Sequence, residues 1–157
     1  MTTSAPPLLR PAPTIDRDSA FFWEGLRERE LRLQRCQGCG RRRSPPLPAC
    51  PYCGNARSDV EVSPGLGALY TYVVVRHAFS PVFEADVPYT VGVVELDEGC
   101  RMLARLELGA TPPDLGVRVR VAYRDHPAEG EAADAGQGGW TEAYFVAAGA
   151  TAVQGAG

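Results

Sequence analysis

The 157-residue chain contains no lysine; all sixteen of its basic residues are arginine. That absence excludes a Schiff-base lysine, a P-loop lysine and a Ser-Lys dyad from the chemistry this chain can carry. Histidine is nearly as scarce, with only His77 and His126. No stretch approaches the ~18 uncharged apolar residues that would span a bilayer. Met1 to Pro7 has neither the charged nor the apolar region of a secretory signal. Five cysteines, four of them spaced in pairs and one odd, do not make a disulfide framework and fit a reducing compartment. The expectation is a cytoplasmic protein without membrane contact.

What the chain does have is concentrated between Cys36 and Cys53. Cys36-Gln37-Gly38-Cys39-Gly40 and Cys50-Pro51-Tyr52-Cys53-Gly54 are two C-x-x-C pairs, each followed by glycine. Two such pairs place four thiolates where one tetrahedral ion can collect them, and Zn²⁺ is the usual occupant. Glycine after each pair lets the backbone turn its N–H groups towards the sulfurs. A catalytic zinc keeps an open position, commonly with a His or carboxylate ligand. Four cysteines without a nearby histidine leave none, so the pattern predicts a closed structural site, a zinc ribbon with two knuckles. Rubredoxin-type iron fits the same ligands and stays as the alternative.

Charge is uneven. Residues 27–57 carry eight arginines against Glu28 and Glu30, a local +6, while the formal net charge is −3. The rest of the chain is therefore acidic, which argues against general nucleic-acid coating. Arg41-Arg42-Arg43, beside the first knuckle, reads either as a solvated face or as a grip for phosphate, which the guanidinium fork binds bidentately.

In chain order, residues 1–14, with Pro6, Pro7, Pro11 and Pro13, read as a flexible arm. Asp16 or Asp18 offers a cap for a helix over Ser19–Leu31, with Phe21, Phe22 and Trp23 either docked on their own domain or anchoring another protein. Residues 15–63 make the helix and ribbon, Leu31–Arg35 and Asp59–Ser63 being its alternating strands. Pro64-Gly65-Leu66-Gly67 marks the boundary. Residues 64–147 hold five strand-like stretches, 68–75, 89–96, 100–107, 117–123 and 140–146, rich in β-branched and aromatic residues. Residues 126–139 read as a flexible loop and 148–157 as a disordered tail. The fold class is mainly β: an N-terminal helix, a zinc ribbon, then a five-stranded OB-fold barrel.

No catalytic constellation emerges from the residues. His77 lies on the loop after the first barrel strand with no nucleophile beside it in sequence. Cys100 reads as an inert half-buried thiol and Asp97-Glu98 as solvated turn residues.

Phe22-Trp23-x-x-Leu26, Leu33-x-x-Cys36-x-x-Cys39-Gly40, Pro45-Pro46 and Cys50-Pro51-x-Cys53-Gly54 occur in an order shared with a known family. Gly67-x-Leu69-Tyr70-Thr71-Tyr72, Val87-Pro88-Tyr89, Val94 to Gly99 and Gly116-x-x-Val119 continue it. Over residues 18–123 the chain resembles the bacterial and archaeal family that joins a rubredoxin-like zinc ribbon to an OB-fold. The resemblance implies an accessory subunit of thiolase-fold enzymes acting on acyl-CoA: thiolases, hydroxymethylglutaryl-CoA synthases, or aldolases that cleave β-hydroxyacyl-CoA, including sterol side-chain thioesters. It implies Cys36, Cys39, Cys50 and Cys53 as zinc ligands, a hetero-oligomer with the thiolase-fold partner, and no catalytic residue on this chain. Among the reactions, retro-aldol cleavage is favoured, with Arg41, Arg42 and Arg43 as contacts for the CoA phosphates. The alternatives are a thiolase or synthase complex, or a stand-alone nucleic-acid-binding OB module stacking bases on Tyr70, Tyr72 and Tyr89.

Overall fold

A computed structural model of the protein describes residues 11–109, 112–127 and 139–149. The expected arm up to residue 10, the loop at 128–138 and the tail from 150 lie outside the described residues.

The first element is α1 (Ala20–Arg27). Its entry is a local turn in which Ser19 donates to the Asp16 carboxylate through its N–H (2.8 Å) and its hydroxyl (2.7 Å). The sequence predicts a helix running to Leu31; the structure ends it four residues earlier. Arg29 takes a left-handed φ of 64°, and the N–H groups of Glu30 and Arg29 fold back onto the carbonyls of Gly25 (2.8 Å) and Leu26 (3.1 Å). This is the closure usually made with glycine at the left-handed position. The early stop frees Leu31 to begin a strand.

Strands β1 (Leu31–Cys36), β2 (Arg42–Arg43) and β3 (Ser58–Ser63) form an antiparallel sheet in the order β2-β1-β3. Leu31 and Leu33, 0% and 2% exposed, put this sheet's inner face into the same apolar cluster as the barrel residues Leu96 and Cys100. Ribbon and barrel thus share one core.

The barrel follows: β4 (Leu66–Val75), β5 (Tyr89–Leu96), β6 (Arg101–Glu107), β7 (Arg118–His126) and β8 (Trp140–Ala147). It closes in the order β4-β5-β6-β8-β7, with β7 returning to β4 and β6 running parallel to β8. Alternation sends Leu69, Val94, Leu96, Met102, Ala104, Leu106, Val119 and Phe145 inwards. Closure is tight at Gly67, which pairs with Leu96 on one side and Val119 on the other. A Cβ there would lie 2.4 Å from the Glu95 carbonyl oxygen, so the strand crossing needs glycine. A bulge between Leu69 and Thr71 bends β4 at Tyr70.

The helix corner is tied to the barrel by charge. Arg29 grips Asp125 with both guanidinium nitrogens, one bond being 2.8 Å, and the Thr141 hydroxyl donates to the same carboxylate at 2.8 Å. Arg29 first, then Thr141, holds the Asp125 carboxyl down from 3.8 to about 2. A depressed carboxylate stabilises the fold fully above its ordinary value and loses that contribution as pH falls towards 2. Both side chains are largely exposed, so the expected cost of Asp125→Asn at pH 7 is about 1 kcal/mol. Urea unfolding at pH 7 checks this: Asp125→Asn should unfold about 1 kcal/mol more easily than wild type, and equal midpoints would remove the latch's contribution.

Candidate metal centre

The two C-x-x-C turns are near copies. Gly40 (φ 71°) and Gly54 (φ 74°) follow them in the left-handed region. Gly40 donates to the Cys36 carbonyl and Gly54 to the Cys50 carbonyl, each at 2.9 Å. β1 delivers Cys36 at its last residue, and β3, paired to β1 from Ser58 onwards, brings the second turn back beside the first.

The result gathers Cys36, Cys39, Cys50 and Cys53, whose sulfurs all lie within 4.8 Å of one another. Cys36 Sγ is 3.5 Å from Cys53 Sγ, and Cys39 Sγ is 3.6 Å from Cys50 Sγ. Four thiolates at about 2.3 Å from a tetrahedral zinc would stand ~3.8 Å apart, so the observed spacing fits the ion. Cys36 and Cys50 are buried while Cys39 and Cys53 face outwards. The backbone N–H of Cys39, and after it that of Gly38 at 3.3 Å, holds the Cys36 thiol down at about 6. N–H donors aimed at a sulfur favour the thiolate a metal requires.

The loop between the turns carries β2 and is pinned from inside. Gln34, 8% exposed, accepts from Arg43 Nε (2.8 Å) and from the Leu47 N–H (2.9 Å). Arg43 also donates to the Leu47 carbonyl. Gln34 is a supporting residue that sequence reasoning missed: it sits in an alternating strand, and nothing in the pattern shows what it meets.

The arginine triplet is divided by the fold. Arg43 is buried against Gln34. Arg42 makes a two-nitrogen pair with Glu61 on β3, at 2.8 and 3.0 Å. Arg41 is exposed, its guanidinium 4.3 Å from the centre of the Tyr52 ring. Alternation along β2 turns Arg42 and Arg43 to opposite faces, and Arg41 precedes the strand.

The other candidates are scattered. His77 is exposed on the loop after β4. His126 stacks on Trp140 (centroids 4.1 Å apart) and lies 3.0 Å from Glu142. Cys100 is 7% exposed, and burial followed by the Glu98 charge pushes its thiol up to about 11. Trp23 meets Phe22 and Trp140 edge-on at 5.4 and 6.2 Å, so the aromatic helix covers its own barrel.

A four-cysteine knuckle pair on a three-stranded sheet, fused through one core to a closed five-stranded barrel, defines a zinc ribbon joined to an OB-fold. Family models for the "ChsH2, rubredoxin-like zinc ribbon domain" and the "ChsH2, C-terminal OB-fold domain" match residues 23–59 and 59–124. The chain belongs to this family, also known as DUF35. It is 31% identical over 113 residues to a "DUF35 domain-containing scaffold protein" of Methanocaldococcus jannaschii, covering 69% of this chain and 79% of that one. It is 41% identical over 120 residues to the "Probable enoyl-CoA hydratase alpha subunit" of Thermomonospora curvata, which covers 76% of this chain and 37% of that protein. With the "3-oxo-4,17-pregnadiene-20-carboxyl-CoA hydratase alpha subunit" of Mycobacterium tuberculosis it shares 40% over 117 residues, 73% of this chain and 36% of that protein. The chain therefore spans a little over a third of the length of these two subunits. Among solved structures, the "Ltp2-ChsH2(DUF35) aldolase" superposes with a TM-score of 0.69 and 35% identity, covering 87% of this chain and 99% of the matched one.

Replacing Cys39 or Cys53 by Ser is expected to reduce bound zinc from about one per chain to near zero and to unfold the ribbon, since a structural site's binding energy is folding energy. Metal analysis and near-UV circular dichroism read both; a red, iron-loaded wild-type protein would overturn the zinc assignment.

Proposed function

We propose that the chain is an accessory subunit of a thiolase-fold enzyme in acyl-CoA carbon–carbon bond chemistry, with the reacting groups on the partner. The reaction favoured is retro-aldol cleavage of a β-hydroxyacyl-CoA such as a sterol side-chain thioester. The observation that carries this reading is the match along 99% of a chain of the Ltp2-ChsH2(DUF35) aldolase. Cys36, Cys39, Cys50 and Cys53 would hold a structural Zn²⁺ whose work is to keep β1 and β3 in register. The CoA-phosphate role expected of Arg41, Arg42 and Arg43 narrows to Arg41, because Arg42 and Arg43 are engaged by Glu61 and Gln34.

A second reading, a scaffold for a thiolase or synthase complex, draws on the 31% identity to the archaeal scaffold protein. The nucleic-acid reading is weakened by the barrel surface: Arg101 covers Tyr70 at 3.6 Å and Arg105 lies 5.1 Å from the Tyr89 ring centre, each guanidinium already paired with a carboxylate.

Purification of the tagged chain from its native host, followed by mass spectrometry, is expected to recover a thiolase-fold protein in near-equal amount. Recovery of the chain alone or with nucleic acid would overturn the accessory-subunit reading. With the complex in hand, Arg41→Glu should weaken CoA-ester binding several-fold while Arg57→Glu leaves it unchanged; equal binding by Arg41→Glu and wild type would remove the phosphate contact.

A further inference from the structure

The barrel has two outer walls of opposite character. On the wall formed by β7 and β8 the chain clothes itself. Trp23 of α1 lies on Trp140, Arg124 bridges Glu107 and Glu142, and Tyr144 is 8% exposed with the Arg124 guanidinium over its ring.

The wall of β4, β5 and β6 is bare. Register places Thr71, Val93 and Leu103 in one cross-strand row and Val73, Val91 and Arg105 in the next. Leu103 is 69% exposed, Val73 61% and the bulged Tyr70 50%. Water-facing positions of an antiparallel sheet are normally polar, so Leu103 and Val73, standing out on neighbouring rows, are out of place for a wall meant to stay wet. The loop after β4 is tied to the same wall, because Asp86 pairs with Arg105 at 3.2 Å. That loop presents Phe79, 81% exposed and supported by the Phe83 ring at 5.2 Å.

Two observations say what can cover this wall. β5, the middle strand of this wall, is laddered along its length by β4 on one side and β6 on the other, so a partner meets its centre with side chains rather than by adding a strand there. Charges at its rim cancel locally, Arg101 against Glu95 and Arg105 against Asp86, so a polyanion meets little net field while an uncharged apolar protein surface is complementary. We propose that the β4-β5-β6 wall, with Phe79 as the protruding anchor, is the docking surface for the thiolase-fold partner. This rests on the accessory-subunit reading above and adds to it the face that makes the contact.

The test uses the full zinc-loaded chain and the purified thiolase-fold protein recovered with it from the host. Leu103→Glu, Val73→Glu and Phe79→Ala are compared with Val60→Glu, an apolar residue 53% exposed on the ribbon. All four positions face water, so zinc content and melting temperature should match wild type and certify folding. Calorimetric titration should show binding weakened ~10-fold or more by each wall variant, as for interface anchors, and kept by Val60→Glu. Full binding by the wall variants, or its loss only in Val60→Glu, overturns the docking face and leaves the accessory-subunit reading standing. If wild type binds no thiolase-fold protein, both readings fall. If it instead forms a two-chain species by light scattering that Leu103→Glu returns to one chain, the wall is a self-association surface and the proposed occupant is wrong.

Discussion

Four sulfurs within 4.8 Å of one another are the constraint on which the N-terminal half depends. Four thiolates at that distance repel unless a cation sits among them, and a divalent ion both removes the repulsion and fixes the angles. Once they are held, β1 and β3 must meet in the observed register, because the knuckles sit at the ends of those strands. That register turns Leu31 and Leu33 to the inner face and sends Val60 and Val62 outwards. The metal centre therefore sets the packing of the ribbon on the barrel from a distance.

The junction between ribbon and barrel uses two kinds of interaction that fail differently. The apolar part is shared core: Leu26, Leu31 and Leu33 lie in one cluster with Leu96, Val119 and Phe145. It resists separation but allows sliding, since apolar contact has little directionality. The polar part supplies direction, the paired guanidinium bonds of Arg29 to Asp125 giving the helix corner a fixed angle. Arg29 takes up a backbone conformation that a side chain disfavours, and its latch to the barrel offsets that local strain.

Seen this way, the division of the barrel surface into a clothed wall and a bare one has a physical origin. The helix, its tryptophan and the ion pairs of β7 and β8 occupy one side. β-Branched residues on β4 and β5, needed for strand formation, are left facing outwards on the other. Such a face suits the docking role proposed for it, since apolar side chains left in water gain most when a partner covers them.

The gathering of the four sulfurs was legible in the sequence because C-x-x-C spacing is local: two cysteines and the glycine after them specify each knuckle whatever surrounds it. The barrel strands were legible for a similar reason, since alternation such as Val117-Arg118-Val119-Arg120-Val121 states which side chains share a face. The helix end was not, because the stop is made by an arginine in a conformation usually signalled by glycine, and the Asp125 that rewards it lies 96 residues away. The arginine triplet was only partly legible for the same physical reason. Adjacency in sequence suggested one phosphate grip, but a two-residue strand splits neighbours between its faces, and only distant partners, Glu61 and Gln34, decide which guanidinium is spent. Local spacing determined the ligand set and the strands; long-range pairing decided which charges stay free and which wall of the barrel is left uncovered.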